Sequence, residues 1–160
     1  MGRGRGGYIS KQNLYYDSGN IKVKDAGSIF VAERYIDMGY ESVFRRQHQP
    51  EKSYDLTIKS SDDQNFIKNI EVKSVEKENL NTFSKRIKDG FTQFCAGKED
   101  TVAIYLPNMK SNEKGLKFVK EGFDIAKRKG FVKNHVEVWY GEERRSFYFP
   151  VFCSLCSTSF

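Results

Sequence analysis

Asp55, Glu71 and Lys73 are the side chains of this chain whose types and spacing could do chemistry. In Ile70-Glu71-Val72-Lys73 an acid and an amine stand two residues apart, and on a strand that spacing puts both on one face, opposite Ile70 and Val72. In the preceding alternating segment Asp55 shares a face with Thr57, while Tyr54, Leu56 and Ile58 share the other. If the polar run Ser60-Ser61-Asp62-Asp63-Gln64-Asn65 turns the chain back as a hairpin, Asp55, Glu71 and Lys73 converge. Two carboxylates on adjacent strands suit a hard divalent cation, which takes oxygen ligands and keeps waters that a phosphate can share. A lysine two residues past the acid can orient a metal-bound water or stabilise charge developing on a phosphate. By itself an acid-x-Lys tripeptide is an ordinary ion pair on a solvated strand face, so its meaning depends on the order of the elements around it.

Those elements can be read from spacing. Asp25 is a predicted N-cap for a helix with Ile29, Ala32 and Ile36 at helical intervals and Gly39 as its stop, which places Glu33 at the border of the buried stripe. Strands are predicted over Tyr40 to Arg46, Tyr54 to Lys59 and Phe66 to Val75. From Asn79 to Phe94 a helical face carries Phe83, Ile87, Phe91 and Phe94, with Thr82, Arg86, Asp89 and Gln93 as a polar strip beside it. Arg86 on that strip could hold a phosphate, and Gln93 could orient a water or a base. Thr101 to Leu106 is a compact apolar strand ended by Pro107, and a helix from about Glu113 to Lys129 turns Leu116, Val119, Phe123 and Ala126 inward. Two strands close the chain, one with Val136, Val138 and Tyr140 alternating and one over Phe147 to Phe152. The predicted order is α-β-β-β-α-β-α-β-β: an α/β (α+β) single domain over residues 25–152, a mixed central sheet flanked by helices. Residues 1–24 read as a flexible basic arm or a linker remnant and 153–160 as a tail.

Composition narrows the class of function. The 160 residues, 38% hydrophobic, allow one core and exclude a disordered chain or a multidomain enzyme. Lys plus Arg number 27 against 21 for Asp plus Glu, a formal net charge of +6 that suits a polyanionic partner. Apolar runs fall short of the ~20 residues that a membrane helix needs, and the opening Met-Gly-Arg-Gly-Arg-Gly-Gly does not read as a signal peptide, so a soluble chain acting in a cytoplasm is expected. Cys95, Cys153 and Cys156 are too few for a disulfide framework, and Cys153 with Cys156 has no second metal-ligand pair, so a structural reading is favoured. His135 lacks a partner at ligand spacing and also reads as structural. The basic run Lys110 to Lys133, with Arg144 and Arg145, could track a phosphate backbone or be a solvated helix face, and the late aromatics read as core.

A helix bearing Glu33, then Asp55, then Glu71-Val72-Lys73, then a second helix resembles the PD-(D/E)xK nuclease superfamily, the restriction-endonuclease-like fold, over roughly residues 26 to 106. Ser53-Tyr54-Asp55 stands where the motif's name has Pro-Asp. Within that superfamily the chain looks most like the C-terminal toxin domains of contact-dependent growth inhibition proteins and related polymorphic toxins, several of which are tRNA nucleases. Gly39-Tyr40 after the first helix, Glu71-Val72-Lys73-Ser74, and Asn81, Lys85, Arg86 and Gln93 on the next helix carry that likeness. The resemblance implies that Asp55, Glu71 and the Val72 carbonyl bind a divalent metal, Mg2+ or else Mn2+ or Zn2+, that Lys73 positions the nucleophile, and that Glu33 assists. It assigns Thr82, Lys85, Arg86 and Gln93 to substrate. If the substrate is RNA, its own 2′-hydroxyl can attack and the metal becomes dispensable. A toxin would be delivered into a target bacterial cell by a secreted carrier and would have an acidic immunity partner. Two other readings stay open: a metal-dependent DNA endonuclease of restriction, resolvase or mobile-element type, and a non-catalytic nucleic-acid or protein binding module on the same fold.

Overall fold

The computed structural model describes residues 14–16, 25–44, 54–92, 100–142 and 151–152. Its elements are β1 (Leu14–Tyr16), α1 (Ala26–Asp37), β2 (Tyr40–Phe44), β3 (Leu56–Ser60), β4 (Phe66–Ser74), α2 (Leu80–Thr92), β5 (Asp100–Leu106), α3 (Glu113–Arg128), β6 (His135–Tyr140) and β7 (Val151–Phe152). The sheet runs in chain order, with β2, β3 and β4 as an antiparallel meander and β4, β5 and β6 parallel. Five central strands make a mixed sheet in one α/β domain, and β1 and β7 extend its edges, parallel to β2 and antiparallel to β6 respectively. The expected order holds from α1 onward. β1 is an addition, inside the segment expected to be an arm. No helix among the described residues is long and apolar enough to cross a membrane. Gln93, His48, Arg144, Arg145 and all three cysteines lie outside the described residues, as does most of the strand expected over 147–152.

Each face of the sheet has its own core. On one side α1 covers Phe44, Leu56, Ile58, Ile70, Val72, Ala103 and Trp139. On the other, α2 and α3 bury Phe83, Ile87, Phe118, Val119 and Phe123 against Val75, Val102, Ile104, Val136 and Val138. Strand alternation therefore sends Ile70 and Val72 toward α1, and Glu71 and Lys73 toward the α2 side. Tyr54 departs from the expected pattern: it packs with the α2–α3 core instead of with Leu56 and Ile58, because backbone bonding to β4 runs only to Asp55 and alternation does not govern residues before it. The buried stripe of α1 is also different, formed by Ser28, Val31, Ala32 and Tyr35, with Ile29 and Ile36 only half-buried.

What turns Tyr35 inward is a buried acid. Glu137 of β6 is 0% exposed, and its Oε2 accepts from the Tyr35 hydroxyl and from Lys68 Nζ of β4 at 2.6 Å. Its Oε1 accepts from Trp139 Nε1 at 3.1 Å, so both oxygens are paired and α1 is tied to β4 and β6. Burial, with the Glu137 charge beside it, pushes the Tyr35 phenol well above its ordinary range.

α2 and α3 approach closely at Gly122, where a Cβ would lie 2.5 Å from Phe83 Cδ1. Gly122→Ala is therefore expected to lower unfolding free energy by about 1–3 kcal/mol, the usual range for overpacking; chemical denaturation with an unchanged m-value would check it.

Candidate active site

Asp55, Glu71 and Lys73 meet where β3 gives out beside β4. Leu56 opposite Ile70 is the last pair of that ladder, and continuing its register by one residue sets Asp55 across from Glu71. The Asp55 N–H still donates to the Ile70 carbonyl at 2.9 Å, and the Asp55 carboxylate takes over as acceptor for the next free donor, the Val72 N–H, at 2.8 Å. A short polar side chain at the strand start thus completes the ladder and is held rigidly by it. Glu71 is 3% exposed, within hydrogen-bonding reach of Asp55, and its Oε2 lies 3.4 Å from Lys73 Nζ, whose side chain is still partly open to solvent. Burial raises the Asp55 carboxyl above the ordinary aspartate range; the Val72 N–H opposes this, the Asp25 charge adds to it, and Lys73 and Glu71 oppose it again.

Asp25, just before the first helix, is an acid whose charge acts on Asp55. It caps α1, its Oδ2 accepting from Ser28 N at 3.2 Å and from Ser28 Oγ at 2.7 Å. The first turn of α1 rests on the carboxyl ends of β4 and β5: a Cβ on Gly27 would lie 3.0 Å from Ser74 Oγ and 3.2 Å from Tyr105 Cδ2. Glu33 does not join the group. It stands nearly opposite the Ser28–Val31–Ala32–Tyr35 stripe, about two turns and ~12 Å along the helix from Asp25, and no hydrogen bond or ion pair links it to Asp55, Glu71 or Lys73 among the described residues. A capping aspartate reads as local structure, and only the seating of the helix end on β4 gives it a second use.

Asp25→Asn is expected to lower the Asp55 pKa in the metal-free protein, read by carboxyl-carbon NMR titration, because a repelling charge is removed. The linkage follows in sign. A raised folded-state pKa means that Asp55 contributes stability below its unfolded pKa and loses it as pH rises through the folded value, so Asp25→Asn narrows that window from above. An unchanged Asp55 titration would show that Asp25 is too distant to matter.

The α2 residues assigned to substrate are placed beside this group without touching it. Lys88 of α2 reaches Phe131, which follows α3, so α3 lies on the Lys88 side of α2. Thr82, Arg86 and Asp89 occupy the flank turned away from α3, toward β3 and the acids. Arg86 is exposed with its guanidinium 4.0 Å from Asp89, Thr82 and Lys85 are exposed, and the Thr82 N–H donates to the Asn79 side chain at the helix start. None of the three bonds to Asp55, Glu71 or Lys73.

Among the described residues no group of three or more His, Cys, Asp or Glu side chains is arranged to hold a metal ion. The Asp55–Glu71 pair with the Val72 carbonyl nevertheless fits a Mg2+-like ion, which is bound through one or two carboxylates plus waters and substrate phosphate. The raised Asp55 carboxyl marks negative charge concentrated out of water, which a cation would relieve. Comparison of the chain with family models, with curated proteins and with solved structures finds no match.

Proposed function

We propose that this chain is an endonuclease cutting phosphodiester bonds, and that it acts as a toxin domain on tRNA. The observation that carries the reading is the joining of Asp55, Glu71 and Lys73 at the open end of the β3–β4 ladder, two carboxylates and an ammonium. Asp55, Glu71 and the Val72 carbonyl are the groups that would hold a divalent ion, which would supply charge neutralisation at the scissile phosphate. Lys73 holds its amine at the solvent side of the pair, where it can orient an attacking water or meet charge on a phosphate oxygen. Arg86, without a close bidentate partner among the described residues, can grip a neighbouring phosphate.

The raised Asp55 carboxyl favours a second route on the same residues. A carboxyl that holds its proton more tightly than an ordinary aspartate is suited to proton transfer, so on RNA it can take the proton of an attacking 2′-hydroxyl without metal while the P–O5′ bond breaks and the 5′-oxygen leaves. Incubating the protein with total tRNA and with plasmid DNA, with Mg2+ and with chelator, tests both. Cleaved tRNA with 2′,3′-cyclic ends under chelator supports the metal-free route, and metal-dependent cleavage supports the first. Cutting of plasmid alone moves the reading to a DNA endonuclease, and no product from either substrate overturns it. A toxin of this charge also calls for an acidic inhibitor in the producing cell, since complementary charge speeds association.

A further inference from the structure

The α2–α3 face holds cations that the cleavage site does not use. Lys88 of α2 and Lys129, just past α3, converge from two elements on one ring, their ammonium groups 5.4 Å and 6.0 Å from the centroid of Phe131. Neither has an ion-pair partner among the described residues. Lys127 lies 5.9 Å from the Phe123 ring, and Arg128 is exposed next to it. Two exposed acids share α3 with these cations, Glu121 and Asp124, while Asp89 stands on the opposite flank of α2, beside Arg86. Like charges gathered on one surface repel, and an anion bound between them removes that cost.

Position around α2 gives the cluster a direction. Arg86 stands on the flank toward the acids, Lys85 on the solvent crest and Lys88 on the flank toward α3, so the three cross the helix rather than run along it. Lys129 continues the line on the far side through the shared ring. The band is about one helix diameter wide, ~10–12 Å, which exceeds a single phosphate group.

We propose that Arg86, Lys85, Lys88 and Lys129 form a track for the phosphate backbone of the polynucleotide beyond the cut. This rests on the endonuclease reading above. Phe131 is already faced by two ammonium groups, so the track meets phosphates and does not stack bases. It binds backbone without reading sequence, and it fits a long or folded strand, such as tRNA, better than a fragment of two or three nucleotides.

The test measures binding rather than cutting, in an Asp55→Asn background, by fluorescence anisotropy with labelled tRNA and labelled duplex DNA over a range of salt. Lys88→Ala with Lys129→Ala is expected to weaken both complexes by about tenfold and to reduce the slope of log Kd against log salt by about two, one per lost phosphate contact. Lys59→Ala, on β3, is expected to change that slope by less than either track lysine. Unchanged affinity and slope in the double variant, or an equal effect from Lys59→Ala, overturns the track while leaving cleavage by the unaltered chain as the separate measure of the nuclease reading. A slope change with no cleavage by the unaltered chain would keep the track and reject the nuclease.

Discussion

Asp55→Asn is expected to abolish most cleavage, by at least about 10²-fold and up to ~10⁴-fold, while leaving the protein as stable as before or more so. The amide oxygen can still accept from the Val72 N–H, so the strand end stays closed. What disappears is a carboxylate whose ionised form is disfavoured by burial and by Asp25. At neutral pH that ionised form costs stability, so removing the charge relieves the fold at the expense of the chemistry. Lys73→Ala should give a loss of cleavage of the same order, because its ammonium is the cation held on Glu71 at 3.4 Å. Cleavage rates on tRNA alongside thermal unfolding check both variants together. Activity that survives both substitutions removes these residues from the reaction, and a collapse in melting temperature would mean that they hold the fold instead.

Glu137→Ala is expected to be the most damaging substitution for stability, lowering unfolding free energy by about 3–5 kcal/mol, the range for breaking a buried ion pair. Lys68 would lose its partner at 2.6 Å, and Tyr35 and Trp139 would lose their acceptor in a site closed to water. For a domain of this size that corresponds to a fall in melting temperature of roughly 6–20 °C. Glu137→Gln paired with Lys68→Met should recover much of the loss, since the uncompensated charge is gone. Denaturant melts of the single and double variants decide it: additive losses would show that the charges are not coupled.

How much of this was legible in the sequence differs from residue to residue. The β3–β4 hairpin and the joint placement of Asp55, Glu71 and Lys73 followed from alternation, because a two-residue period leaves few ways to pair two such segments. Tyr54 broke the pattern because the backbone bonding that enforces alternation ends at Asp55. Glu137 stands between Val136 and Val138 and reads as a solvent-facing position, yet helices cover both faces of the parallel β4–β6 part of the sheet. Trp139 on the same face was the signal that this side is also buried. β1 left no trace because three residues paired at an edge need no periodicity. Asp25 showed its cap and hid its second neighbour, since the approach of α1 to β4 is a tertiary contact.

The Glu137 cluster also has a kinetic meaning. Tyr35 lies 102 positions and Lys68 lies 69 positions from Glu137 along the chain, so these bonds close only after α1, β4 and β6 have all been brought together. Closing contacts of such long sequence separation costs the most loop entropy. Interactions absent from the transition state act on the unfolding rate. The acid that ties the first helix to the sheet is expected to act as a latch on the native state: a φ value near zero for Glu137→Ala, with faster unfolding and a little-changed folding rate, would show that the cluster closes after the barrier, and a value near one that it closes within it.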